Sequence, residues 1–173
     1  SIGIALAGPN DDDAASLLRN ADIAMYAAKE RGRAGFVVFD SSMMRRASDR
    51  LGLVADLHRA IERGEISVAY QPIVSLDDES IGGLEALVRW THPARGNIKP
   101  NAFIHLAEET GQIHRLGQWV LETAMREIGG LEHGGHVSLA VNVSTRQLER
   151  DDFADSVGDA LRASGFDPAR LVL

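Results

Sequence analysis

The sequence predicts an α/β fold. Apolar residues recur at helical spacing in some stretches and form short strand-like runs in others, and the two kinds alternate along the chain. Near the end, strand, helix and strand follow with a short crossover, which implies parallel pairing. In the middle, two strand-like runs, 66–76 and 81–90, are parted only by Asp77-Asp78-Glu79-Ser80, the signature of an antiparallel hairpin.

The first strand is Ser1-Ile2-Gly3-Ile4-Ala5-Leu6, and Gly8-Pro9-Asn10 turns the chain. Asp11, Asp12 and Asp13 suit the positive end of a helix. Ala14, Leu17, Leu18, Ala21, Ala24, Met25 and Ala28 supply its apolar face, and Gly32 its stop. Phe36-Val37-Val38-Phe39 is a short strand. Residues 40–52 are mixed and polar, with Arg45 beside Arg46, and read as a linker whose conformation can be helical. Leu53, Leu57, Ala60 and Ile61 mark a helix ending at Gly64. In the run that follows, Pro72 requires an edge or a bulge, because it has no N–H for a ladder. Pro100 and Asn101 start a short helix that stops by Gly111. Ile113, Leu116, Val120, Leu121, Ala124 and Ile128 mark a long amphipathic helix, and 129–135 a loop. Residues 137–143 form a strand with Val137, Leu139, Val141 and Val143 on one face, and Ser138, Ala140 and Asn142 on the other. Ser144 and Gln147 have capping-box spacing. A last helix spans about 151–164 and precedes the terminal strand.

Composition sets broad limits. Apolar content of 45% and charged content of 25% are ordinary for a globular protein. The net charge of -7 argues against a nucleic acid polymer as partner, while leaving room for a local basic site that takes a small nucleotide. The lack of cysteine excludes disulfides, thiolate metal sites and a cysteine nucleophile. No apolar run nears the ~20 residues of a membrane span, and no signal peptide is visible. The chain opens without Met inside a strand and stops inside an apolar segment, so a piece of a longer protein is expected.

Glu85 is the most informative residue. It interrupts Leu84-Glu85-Ala86-Leu87-Val88-Arg89-Trp90, which otherwise reads as a buried strand. A carboxylate there is costly unless paired or bound to metal. Alternation puts Gly83, Glu85, Leu87 and Arg89 on one face, with Glu85 and Arg89 about 13 Å apart at ~3.3 Å per residue. That separation suits the metal end and the phosphate end of a large anionic ligand; a solvated face with two idle charges is the simpler reading of this strand alone. Asn142 stands at the carboxyl end of a parallel-type strand, where α/β barrels carry their sites. Its amide oxygen suits Mg²⁺ or Mn²⁺, or it bonds the next loop. Gln71, beside the Pro72 break, either reads a base edge or sugar or satisfies backbone groups. His92-Pro93 shapes a turn, and His133 and His136 flank an exposed glycine loop. Lys29 and Arg33 complement a helix end or contact phosphate.

The order and spacing of these residues resemble a known family. The series is Tyr70-Gln71-Pro72-Ile73, Glu85-Ala86-Leu87-Val88-Arg89-Trp90, His92-Pro93, Gly96-Asn97-Ile98, Pro100, Phe103-Ile104, Leu106-Ala107-Glu108-Glu109, Gly111 and Val141-Asn142-Val143-Ser144. It resembles the amino-terminal half of the EAL family of cyclic di-GMP phosphodiesterases; His105 stands where that family often has proline. Ser1-Ile2-Gly3-Ile4-Ala5, Ala21-Asp22-Ile23-Ala24-Met25-Tyr26-Ala27-Ala28-Lys29 and Gly32-Arg33 resemble the carboxyl-terminal end of a GGDEF diguanylate cyclase domain. The resemblance implies a GGDEF remnant over 1–40, a linker over 41–52 and a partial EAL domain over 53–173. The latter is expected to be the first half of a modified (β/α)₈ TIM-like barrel with a hairpin lead-in. Residue by residue, the resemblance makes Glu85 and Asn142 ligands of Mg²⁺ or Mn²⁺, and Gln71 and Arg89 contacts to cyclic di-GMP. Lys29 and Arg33 match positions that contact GTP phosphates. The implied reaction is hydrolysis of cyclic di-GMP to linear pGpG in second-messenger signalling; a catalytically dead receptor is the alternative. The remaining ligands and the catalytic lysine are expected beyond Leu173, so the chain alone is expected to be inactive. A homodimer through the EAL domain and a cytoplasmic location complete the expectations, any membrane anchor being carried by other segments of the parent.

Overall fold

The computed structural model describes residues 1–7, 13–30, 32, 34–131 and 137–173, apart from the Glu30 side chain. The turn expected at 8–10, Arg33, and the loop histidines His133 and His136 lie outside these residues. The chain divides into two compact units, Ser1–Leu53 and Val54–Leu173.

In the first unit, β1 (Ile2–Ile4) pairs in parallel with β2 (Phe36–Val38), and helix α1 (Ala14–Glu30) forms the crossover. Ala24, Ala28, Val37 and Met43 make a small core, with Ile23, Ala27 and Phe39 packed against it. The alanines let strand and helix approach closely. A Cβ on Gly3 would come within 2.0 Å of the Ala21 carbonyl oxygen and 2.2 Å of the Met25 nitrogen, so that contact needs glycine. Helix α2 (Ser41–Ala60) follows and contains the boundary between the units. The stretch expected as a linker over 41–52 and the helix expected from Leu53 are thus one continuous element. Between Ser41 and Gly52 only Met43 is buried, so no apolar stripe marks the helix in the sequence. Its start is signed instead by Asp40, whose carboxylate accepts from the Ser42 backbone N–H at 2.6 Å.

The second unit is built on one five-stranded sheet. Strands β3 (Ile66–Val74) and β4 (Ile81–His92) pair antiparallel, and the short β5 (Gly96–Ile98) pairs antiparallel with the end of β4. Strands β4, β6 (Ser138–Val141) and β7 (Leu171–Val172) run parallel. Helices α3 (Pro100–Glu109) and α4 (Ile113–Gly129) connect β5 to β6. A short α5 (Thr145–Leu148), α6 (Phe153–Ser164) and a 3₁₀ turn (Pro168–Arg170) connect β6 to β7. Pro72 lies in β3, at the sheet's edge, and the register shifts between Ile73 and Val74. Strand β6 is shorter than the expected 137–143 and leaves Asn142 just beyond its end. The helix expected from 151 begins at Phe153, and α5 is separate from it.

The two faces of the sheet differ. Ala86, Trp90, Leu139 and Val141 are buried on the side covered by α3 and α4. Trp90 meets Phe103 of α3 edge-on, with ring centroids 5.5 Å apart, and donates its indole N–H to Glu65 at 3.0 Å. Gln71, Arg89 and Val172 point to the opposite face and are exposed, and Glu85 is half-buried there. Helices fill one side of the sheet and free the other for polar side chains.

Candidate functional site

Backbone register assembles the site. Gln71 of β3 stands directly opposite Glu85 of β4, and Glu85 pairs with Ala140 of β6. Opposed residues share a face. Asn142, two residues past Ala140, therefore comes up beside Glu85. Its side-chain nitrogen donates to Glu85 Oε1 at 2.7 Å, which leaves Asn142 Oδ1 and Glu85 Oε2 outside that bond. These are two hard oxygen donors side by side, Glu85 within β4 and Asn142 just past the carboxyl end of β6, the donor chemistry that Mg²⁺ and Mn²⁺ prefer. The pair fits such an ion as part of a coordination shell. Among the described residues, no cluster of three or more His, Asp or Glu side chains completes it.

Arg89 lies farther along the same face, opposite Ser67 of β3. Its side chain is exposed, and Nη1 of the guanidinium donates to the Val88 carbonyl at 3.0 Å. An exposed guanidinium suits a phosphate. Leu87 and Ala69, paired across β4 and β3, lie between the carboxylate end and the cationic end of this face.

Among the four residues expected in this unit, the structure joins Glu85 to Asn142 by a hydrogen bond and puts Gln71 and Arg89 on the same face. In the first unit, Lys29 is exposed on the last turn of α1, where a cation also complements the helix dipole.

Several polar contacts escaped sequence reasoning. Ser144, after Asn142, donates its hydroxyl to Glu108 of α3 at 2.6 Å. His92 is buried; its Nδ1 accepts from the backbone N–H groups of Ala94 and Arg95, and Nε2 lies 3.1 Å from Asp56. With Nδ1 accepting, Nε2 carries the proton and donates to Asp56. The turn expected from His92-Pro93 is thus tied by the ring itself. Tyr70 donates to Glu127 of α4 at 2.6 Å; burial, then that carboxylate, push the phenol above its ordinary range. The Ser144–Glu108, His92–Asp56 and Tyr70–Glu127 pairs each join separate elements, so no local motif announces them.

A family model described as the EAL domain matches residues 54–173. The chain is 42% identical over its whole length to the "bifunctional diguanylate cyclase/cyclic di-GMP phosphodiesterase MucR" of Pseudomonas aeruginosa, covering 26% of that protein. It is 39% identical to the "cyclic di-GMP phosphodiesterase PdeR" of Escherichia coli, over 96% of this chain and 25% of the other. The chain thus spans about a quarter of the length of these relatives. Among solved structures, the PaMucR phosphodiesterase in complex with c-di-GMP matches with a TM-score of 0.65 and 39% identity, over 69% of this chain and 49% of that one. The FimX EAL domain of Pseudomonas aeruginosa bound to c-di-GMP matches with a TM-score of 0.61 and 26% identity, over 69% and 48%.

Proposed function

The chain belongs to the EAL-domain family, and from that premise we propose that it forms part of a metal-dependent phosphodiesterase that hydrolyses cyclic di-GMP to linear pGpG. The observation that carries this reading is the 2.7 Å bond between Asn142 and Glu85, on the open face of the sheet and opposite Gln71. Glu85 and Asn142 would hold Mg²⁺ or Mn²⁺. A bound ion supplies polarisation of the phosphate and a lowered pKa for the attacking water. Arg89 takes a phosphate of the ligand and stabilises the charge that builds on it. Gln71 contacts the dinucleotide from the edge strand. Similar proteins support the ligand: MucR and PdeR are cyclic di-GMP phosphodiesterases by name, and the PaMucR and FimX structures contain c-di-GMP.

The further ligands belong to the longer protein that the relatives' lengths suggest. The second unit is then the first half of a modified (β/α)₈ barrel, its parallel β4, β6 and β7 continuing around the closed sheet. The first unit is the end of a GGDEF domain, with Lys29 and Arg33 as its phosphate-contacting positions. Matching of the whole chain to a relative named as a bifunctional cyclase and phosphodiesterase supports that assignment.

The test is release of pGpG from cyclic di-GMP by the longer protein with Mg²⁺ or Mn²⁺. Metal-dependent release that Glu85→Ala abolishes is the expected result. Tight binding without release would make the domain a receptor instead, and neither binding nor release would refute the reading.

A further inference from the structure

The loop that presents Asn142 has little packed beneath it. Between β4, α3, α4 and this loop lies a cavity of about 270 Å³, lined by residues that include Ala86, Val88, Ile104, Leu116 and Val120. Close packing cannot fix a segment that borders empty space. Polar contacts hold it instead. The Ser144 hydroxyl donates to Glu108 Oε1 at 2.6 Å and accepts from the Arg146 backbone N–H at 3.2 Å. The Ser144 backbone N–H donates to Gln147 Oε1 at 3.2 Å, which closes a capping box at the start of α5. The Gln147 side chain is buried against Gly117 of α4, where an added Cβ would come within 2.1 Å of its nitrogen. The Ser144 hydroxyl thus has its one proton engaged by Glu108 and its acceptor capacity by the backbone N–H groups that open α5. Of these contacts, the bond to Glu108 is the one that ties the loop to α3, between two residues that both line the cavity, and it is short and charge-assisted.

We propose that Glu108 is a positioning residue, whose carboxylate, acting through Ser144, fixes the loop that holds Asn142 against Glu85. Glu108 need not touch ligand or metal. Its functional consequence rests on the phosphodiesterase reading; its structural consequence does not. Without it, Ser144 loses its acceptor, the loop is free to move over the cavity, and the Asn142 amide swings away from Glu85. Partners that orient a metal ligand typically change metal affinity about 10- to 100-fold when removed.

The experiment reads the loop directly. In the ¹⁵N-labelled 173-residue chain, the side-chain ¹H–¹⁵N NOE of Asn142 reports whether its amide is held. Glu108→Ala should lower it toward the value for a free side chain, and Glu108→Gln, whose amide oxygen still accepts from Ser144, should keep it near wild type. Gly117→Ala is the second variant. It displaces Gln147 and opens the α5 capping box, while α4 itself gains from alanine; with the Glu108 bond intact it should lower the Asn142 NOE less than Glu108→Ala does, and an equal or larger fall would overturn the proposal. In the longer protein, Glu108→Ala should raise the Mn²⁺ needed for half-maximal hydrolysis about 10-fold, with KM for cyclic di-GMP unchanged and Glu108→Gln restoring the wild-type requirement. An unchanged Asn142 NOE in folded Glu108→Ala would overturn the proposal. Absence of hydrolysis by the wild-type longer protein would instead refute the phosphodiesterase reading and leave the NOE result to decide this one.

Discussion

Glu85 shows how one side chain changes meaning with its neighbours. Within its own strand it is a carboxylate on a half-exposed face. The register of three strands gives it Gln71 on one side and Asn142 near the other. Replacing it with alanine in the longer protein should lower kcat by a factor of at least about 100, the scale of losing a group that stabilises the transition state. Measured pGpG release checks this, and an unchanged rate would remove Glu85 from the metal site. Arg89→Ala should instead weaken cyclic di-GMP binding by about 1.5–3 kcal/mol, the range of a charge-assisted hydrogen bond, as read by calorimetry. Some of this was visible beforehand: alternation gives the shared face of Glu85 and Arg89, and capping-box spacing gives the bond between Ser144 and Gln147. The Glu108–Ser144 bond was not visible, because its partners are 36 residues apart and only tertiary packing brings them together.

At the level of elements, legibility followed the apolar pattern. Helix α4 carries a long buried stripe, from Ile113 and Leu116 to Ala124 and Ile128, and its range was readable. The first half of α2 buries almost nothing and was not. Strand β5, three residues long, has too few positions to show a period. Helices α1 and α2 also begin on carboxylates that respond to acid. The Ser16 and Ser42 backbone N–H groups, bonded to Asp13 and Asp40, hold those carboxyls below the ordinary carboxylate value. A depressed folded-state pKa gives stability that is fully present above the ordinary carboxylate value and is lost as pH falls through the lowered one. Far-UV circular dichroism, followed from about pH 5 to about pH 2, should show these helix starts fraying. Asp40→Asn keeps an acceptor without a titrating charge and should flatten the part of that curve due to α2. Helix α3 depends on Phe103, fully buried against Trp90. Phe103→Ala should cost about 3–5 kcal/mol in denaturant unfolding of the second unit.

At the scale of the whole molecule, the described residues give the proposed site face too few ligands to complete a metal site. Among the described residues, Glu85 and Asn142 offer two hard oxygen donors, and no third acidic or histidine side chain clusters with them. The 173-residue chain should therefore release no pGpG with Mg²⁺ or Mn²⁺, and detectable product from the purified chain would contradict this. Among the described residues, no helix is long and apolar enough to cross a membrane.

Pro72 has a consequence for how copies of the chain meet. Strand β3 is an edge strand, and its ladder to β4 persists through the Pro72–Leu84 pair. The proline nitrogen is therefore turned outward, where a free edge would otherwise offer an N–H. A second molecule approaching that edge finds a missing rung and a bulky ring in the row it would need for pairing. The register shift one residue later twists the remaining edge out of line. Pro72 and the irregularity after Ile73 thus make the β3 edge a poor template for a pairing strand.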